Sequence, residues 1–370
     1  MTKPAPTKPT RDLLRRAPKV LLHEHLDGGL RPTTVIELAA AAGYGELPEG
    51  SEARLADWFA AGAARGSLPL YLEGFRHTIA LMQTAESLER VAYEFVEDMA
   101  KDNVVYAEVR FAPHFHTQGG LGLDAVMRAV LKGLHRGEED FGVSTGLIVC
   151  AMRNLSAMLS MQMAELAVAW RSEGCVGFDL AGEEAGHPAK HHIDAFQLVK
   201  RMNFSITIHA GESFGPESIW QALQYCGAHR IGHGTRLVED MVMYEGKAIR
   251  LGPLAQYVLD HRIPIEVCLS SNVHTGATAS LAVHPFPHYF QNGFRVTLNT
   301  DNRLMSRTTM TDEYMLAVEH FGLSLDQLEK VAINGAKSAF AHYDERLRVI
   351  FERVKPGYAR LREEAGARPR

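Results

Sequence analysis

Eight short apolar runs, separated by helical patterns, constrain the fold more than any other feature of this chain. They span residues 20–25, 104–110, 144–150, 175–180, 205–209, 230–233, 264–269 and 295–299. Several show little polar–apolar alternation, as expected of strands buried on both faces of a parallel sheet. Between them, Leu88, Val91, Ala92, Phe95, Val96 and Met99 recur at helical spacing. Gly215-Pro216-Glu217-Ser218 opens another helix with Pro near its first turn, and Ser324-Leu325-Asp326-Gln327 has the spacing of a capping box. Strand–helix alternation repeated eight times predicts an α/β fold, the (β/α)8 TIM barrel.

Strands recur every 25–45 residues or so in most units, but about 85 residues separate His25 from Arg110, an excess that calls for structure of its own. That stretch carries Trp58, Phe59, Tyr71 and Phe75 and leaves the C-terminal end of the first strand. It is expected to form additional helices over the barrel mouth, a lid; the other reading is an insertion packed on the barrel side. No other repeat and no low-complexity linker interrupts the middle, so residues 17–354 are expected to form a single barrel domain. Residues 1–16, rich in Pro, Lys and Arg, read as a disordered N-terminal tail, and residues 355–370 as a charged C-terminal tail that frays.

Composition narrows the partners. A net charge of -5 offers no basic field for nucleic-acid phosphates. No apolar run reaches membrane-spanning length, and the first residues lack the apolar core of a secretory signal. Cys150, Cys175, Cys226 and Cys268 are far apart and form no Cys-x-x-Cys pair, which suits a reducing, cytoplasmic setting. Nothing in the sequence sets the oligomeric state.

The chemistry gathers at strand ends. In Leu22-His23-Glu24-His25-Leu26-Asp27-Gly28, His23 and His25 project to one side of a strand and Glu24 to the other. Three more runs end in Ile208-His209-Ala210-Gly211-Glu212, Ile231-Gly232-His233-Gly234 and Leu298-Asn299-Thr300-Asp301-Asn302. A barrel of this kind builds its active site from the C-terminal ends of several strands, so these residues converge on one axis. Three imidazoles and a carboxylate form a nitrogen/oxygen shell suited to zinc. The fourth run, Gly177-Phe178-Asp179-Leu180-Ala181, has no lysine to be carbamylated between two metals, which favours one ion per chain.

These motifs, together with Phe178-Asp179-Leu180-Ala181-Gly182-Glu183-Glu184 and Ser270-Ser271-Asn272, resemble those of the adenosine deaminase branch of the metal-dependent amidohydrolases. The resemblance runs from about Pro18 to Asp344. It implies one Zn2+ held by His23, His25, His209 and Asp301, with His233 orienting the attacking water and accepting or relaying its proton. It implies that Glu212 gives a proton to purine N1, which requires a carboxyl kept protonated by its surroundings; a helix-entry carboxylate is the plainer reading of Glu212. It implies substrate contacts from His25, Asp27, Gly182 and Asn302: Gly182 N–H to N3, and Asp27 to the ribose 5′ hydroxyl. Asp27 also reads as a turn residue before Gly28-Gly29. Arg110 and Arg153, at strand ends, read as supports or salt bridges without an assigned role. Many family members have two successive aspartates where this chain has Asp301-Asn302. The second meets N7, an acceptor, and an amide donates there without needing to be protonated.

The implied activity is zinc-dependent hydrolytic deamination of adenosine and 2′-deoxyadenosine to the inosines, in purine salvage. The partner is a small purine nucleoside; no nucleic acid or membrane is implied. Adenine and 6-amino-6-deoxyfutalosine present the same amino-purine edge and are the rival substrates. A catalytically inactive binding or signalling protein is the rival of another class, set against the complete catalytic set.

Overall fold

A computed structural model describes residues 8–244 and 247–364. Ten strands form among the described residues: β1 (Lys19–Leu21), β2 (Val104–Phe111), β3 (Ser144–Met152), β4 (Cys175–Ala181), β5 (Ser205–Ala210), β6 (Arg230–His233), β7 (Met241–Tyr244), β8 (Lys247–Leu251), β9 (Ile265–Val267) and β10 (Val296–Leu298). β7 and β8 make a separate antiparallel hairpin, absent from the sequence expectation. The other eight pair in parallel, in chain order, with helices between them. This is the expected (β/α)8 TIM barrel. Every residue of β1, β2, β6, β9 and β10 is buried, which explains why these runs lacked a polar face.

Closure of the barrel and placement of the site are one event. β1 stops at Leu21 because Leu22 N–H turns to a side chain, Asn299 Oδ1, at 2.9 Å. The next residues bridge to the last strand's end: Asp301 N–H donates to His23 O at 2.9 Å and His25 N–H to Asp301 O at 2.7 Å. On the other side Arg110 N–H donates to Glu24 O at 2.8 Å. The His-Glu-His segment is thereby pinned between its two neighbours. Gly232 is needed in the same layer, since a Cβ there would lie 3.1 Å from both His209 Cα and the His23 ring.

The long first connection forms a turn at Leu26–Gly28 and helices Pro32–Ala42, Glu52–Ala63, Leu68–Leu72 and Phe75–Leu81 before the helix Ala85–Lys101. Leu68, Tyr71, Leu72, Phe75, Arg76 and Ile79 from this stretch line the cavity at the barrel mouth, as a lid would. The expected helix starts are present: Pro216 stands in the first turn of Pro216–Gln224, and Ser324 and Gln327 exchange both capping-box bonds.

Both tails are more ordered than their composition suggests. Residues 11–16, expected to be disordered, form a helix capped by Thr10, with Leu14 fully buried and Lys19 Nζ donating to Arg15 O and Ala17 O. The stretch expected to fray is helical over Lys355–Glu364 and buries Tyr358 and Leu361. One or two apolar anchors among many charges suffice once a barrel wall is there to receive them; burying each contributes ~1.5–3 kcal/mol. Residues 1–7 and 365–370 lie outside the described residues. No helix among the described residues is long and apolar enough to cross a membrane.

Candidate active site

The strand ends bring the expected residues together. His23, His209, His233 and Asp301 each present a ligating atom, all within 4.8 Å of one another. His23 Nε2 lies 3.3 Å from Asp301 Oδ1, and His25 Nε2 lies 3.5 Å from the same oxygen and 3.1 Å from His209 Nε2. That set includes His233, and His25 approaches two of its members. The alternation read from the sequence holds. Glu24 points away from the cluster, to Arg303 Nε at 3.0 Å, and Arg303 in turn donates to Gly29 O and Asp98. His233 and Asp301 both adopt φ of +62°, a left-handed conformation that costs a residue with a Cβ and is held only by its surroundings.

Two of the imidazoles are oriented from behind by carboxylates deeper in the barrel. His23 Nδ1 meets Glu266 Oε2 at 2.7 Å, and His209 Nδ1 meets Asp179 Oδ2 at 3.0 Å. With that proton given to the carboxylate, the opposite nitrogen offers its lone pair to the centre. His23 Nε2 is buried there without a hydrogen-bond partner, as an atom awaiting a ligand would be. Arg110 ties the two carboxylates together, 2.8 Å from Asp179 Oδ2 and 2.9 Å from Glu266 Oε2. Arg230 joins Glu266 to Glu108 below, at 2.5 and 2.6 Å. Burial works against the charged form of Asp179 and Glu266. Yet His209 and Arg110 hold Asp179, and Arg230 and Arg110 hold Glu266, well below the usual carboxylate range. Asp301 behaves alike: burial raises it, and the neighbouring His23, His233 and His25 imidazoles outweigh that. Two guanidiniums in this network therefore face four carboxylates. The surplus of two negative charges is what a divalent cation neutralises. Burial lowers His25 well below its ordinary value and His233 to about 4, so both rings are neutral.

Above the cluster lies a cavity of about 330 Å³ lined by His25, Asp27, Gly182, His209, Glu212, His233, Asp301 and Asn302 together with lid residues. A wider groove of about 590 Å³ passes Arg11, Asp98 and Thr311 on the outside, but none of the clustered histidines lines it. Glu212 is buried, with Oε2 3.7 Å from His233 Nε2 and Oε1 unpartnered. Burial, then the Asp301 carboxylate, raises its carboxyl to about 8, so it is protonated at neutral pH. It is no helix-entry carboxylate: the helix begins at Pro216, and its first-turn acid is Glu217. The backbone N–H groups of residues 211–214 are gathered instead by Glu184, at 2.6–3.0 Å. Asp27 sits in the Leu26–Gly28 turn with Oδ1 unpartnered and Oδ2 3.6 Å from His116 Nε2. Gly182 takes φ of +93°, open to glycine. Asn302 is buried against Gly28, where a Cβ would overlap its Oδ1.

Sequence reading missed the orienting groups. Glu266 and Glu108 are single acids inside apolar runs, and that interruption was their one available trace. Arg110 proves to be both a buried salt bridge at the bottom of the pocket and a support. Arg153 is another, donating to His209 O and, at 3.0 Å, to His187 O. Asn272, whose Nδ2 lies 3.0 Å from His233 Nδ1, and His284, which meets Asn272 Oδ1, were likewise missed.

The chain is similar to known proteins along most of its length. The sequence model described as adenosine deaminase matches residues 18–356. Adenosine deaminase 1 of Streptomyces coelicolor is 52% identical over 361 residues, covering 96% of this chain and 91% of that protein. An adenosine deaminase of a Mycobacterium species is 52% identical over 357 residues, covering 95% and 98%. Among solved structures, an adenine deaminase from Arthrobacter aurescens superposes with a TM-score of 0.82 at 26% identity, covering 95% of this chain and all of that one.

Proposed function

The chain belongs to the adenosine deaminase family, and from that premise we propose that it hydrolyses adenosine and 2′-deoxyadenosine to the corresponding inosines and ammonia. The observation that carries the reading is one cavity. Glu212, His233 and Asp301 line it together with the unpartnered carboxylate oxygen of Asp27. The first three serve an amino-purine edge and the last a sugar.

His23, His25, His209 and Asp301 would hold a single ion, for which the nitrogen-rich donor set favours zinc. When bound, it supplies the Lewis acidity that makes water nucleophilic near neutral pH. The remaining work belongs to the chain. Glu212, protonated, donates to N1 and draws electron density from C6. His233 and Asp301 flank the attacking water and orient it, and its proton is taken up beside them. Gly182 N–H meets N3, Asn302 donates to N7, and Asp27 accepts from the ribose 5′ hydroxyl beside His25. The lid helices close the cavity against bulk water. Four buried free cysteines suit the cytoplasm as the compartment.

A second reading, adenine as substrate, draws on the likeness to the Arthrobacter enzyme. Adenine has no sugar, so Asp27 would stay unpaired. The test is a panel of adenosine, 2′-deoxyadenosine, adenine and 6-amino-6-deoxyfutalosine, followed by loss of adenine absorbance. Adenosine and its deoxy form should show the highest kcat/KM. A higher value for adenine or the futalosine would overturn the substrate, and no turnover of any would overturn the enzyme.

A further inference from the structure

His284 and Asn272 are buried behind His233 and have no part in the reaction described above. Hydrogen bonds run through them in series. The backbone N–H of Phe286 donates to His284 Nδ1 at 3.0 Å. His284 Nε2 meets Asn272 Oδ1 at 3.2 Å, and Asn272 Nδ2 meets His233 Nδ1 at 3.0 Å.

The direction of every bond follows from the first. A backbone amide can only donate, so His284 Nδ1 accepts and the ring's proton sits on Nε2. The atom that receives that proton is the amide oxygen of Asn272, which turns the amide nitrogen toward His233. Reversing the amide would demand acceptance at both nitrogens of His284, which no imidazole carrying a proton can offer. An amide nitrogen only donates. His233 Nδ1 is therefore an acceptor, and the proton of that ring is on Nε2, the nitrogen that faces Glu212 Oε2 across 3.7 Å.

We propose that the Phe286–His284–Asn272 relay fixes His233 as its Nε2–H tautomer, so that His233 donates a hydrogen bond to the attacking oxygen and neither ligates the metal nor removes the water's proton. A protonated nitrogen has no lone pair to give. The fourth ligand is therefore His25, whose Nε2 lies 3.5 Å from Asp301 Oδ1 and 3.1 Å from His209 Nε2. The acceptor of the water's proton is Asp301. As the oxygen bonds to C6, its proton passes to the Asp301 carboxylate, the C6–N1 π pair moves onto N1, and N1 takes the proton of Glu212. Asn272 and His284 are positioning residues. The role of the donor rests on the deaminase reading; the tautomer is a property of the folded chain alone.

The test is 15N NMR of histidine-labelled, full-length, metal-free protein, with the His233 resonances identified by their loss in His233→Asn. Nδ1 should show the shift of an unprotonated ring nitrogen and Nε2 that of a protonated one. The opposite pattern overturns the proposal, even in an enzyme that turns over adenosine. Absence of turnover in a protein with the expected pattern overturns the deaminase reading and leaves the tautomer standing. Two variants probe the consequence. Asn272→Asp presents only acceptors, so it should move the His233 proton to Nδ1 and lower kcat by roughly 10²–10⁴-fold, as a wrong tautomer does. KM and the metal content should barely change. His284→Gln keeps a donor toward Asn272 and should retain the parent NMR pattern and kcat within a few-fold. Parent-like kcat in Asn272→Asp with a shifted proton, or loss of the pattern in a folded His284→Gln, overturns the role assigned to the relay.

Discussion

The floor of the barrel and its mouth are built on opposite rules. In the floor, every charged group faces an opposite charge: Glu108 with Arg230, Glu266 with Arg230 and Arg110, Asp179 with Arg110. At the mouth, Glu212 Oε1 and Asp27 Oδ1 are buried and unpartnered, as is His23 Nε2 between the two zones. A buried ion pair contributes little net stability, because desolvation offsets the attraction. A barrel interior is ordinarily filled with branched apolar side chains. The floor's charges are better understood as a template that fixes the imidazoles. The mouth's unpaired atoms each cost free energy until a ligand meets them. The contrast separates residues that hold from residues that wait, and substitutions in the two zones should fail in different ways.

The largest effect is expected where the zones meet. His23→Ala should reduce bound metal from one per chain to none and abolish deamination, while thermal unfolding stays cooperative. An active variant without metal, or a parent with two tightly bound ions by elemental analysis, would break the single-centre reading.

Next comes the mouth. Glu212→Gln keeps the shape and the metal but cannot give a proton, so turnover should fall by at least ~10²-fold. The pH profile carries the sign. Burial and Asp301 raise this carboxyl to about 8, and the acid form is the active one. Activity should therefore hold at neutral pH and fall as pH rises through about 8, a loss on the alkaline side that Glu212→Gln lacks. An unchanged alkaline limb in the variant would assign it to another group.

The two zones also differ in how far sequence reveals them. The mouth was largely legible. His23, His25, His209, His233 and Asp301 stand where apolar runs stop, and the barrel's geometry forces such positions together. The floor was not. Glu108, Asp179 and Glu266 lie within runs that read as buried strand, and nothing local tells a paired interior acid from an interrupted strand; their arginine partners are 36–156 residues away. The hairpin Met241–Tyr244 with Lys247–Leu251 escaped for the reverse reason: its outer residues are exposed, and no core pattern marks it. The terminal helices were hidden by charge. In each miss the deciding contact is tertiary.

A floor substitution should weaken the site without touching the substrate. Glu266→Gln removes the charge behind His23 and leaves Arg110 and Arg230 undercompensated. Metal affinity measured by chelator competition should drop about 10–100-fold. Unfolding free energy should fall by ~3–5 kcal/mol, as for one broken partner of a buried pair. KM for adenosine, measured with saturating metal, should stay near the parent value. A change in KM with parent-like metal affinity would put Glu266 among the residues that wait.

The smallest effect expected is at Asn302, the position that departs from the family's common aspartate. Its Oδ1 is packed against Gly28, whose missing Cβ leaves it room, and it lines the cavity beside Asp301. If the amide donates to N7, replacing N7 by C–H in 7-deazaadenosine leaves that donor unpaired in a dry pocket. An unmade buried hydrogen bond costs about 1–3 kcal/mol, so kcat/KM should fall roughly ten- to a hundredfold. Asn302→Ala leaves no donor to strand and should erase most of that preference, mainly by slowing adenosine. Asn302→Asp must be protonated to donate and should lose activity sooner as pH rises than the parent does. The comparison of two substrates with two enzymes is the decisive one, because a general loss of packing lowers both substrates alike and leaves their ratio intact. Should Asn302→Ala discriminate against the deaza compound as strongly as the parent, Asn302 does not read N7 and belongs with the residues that hold.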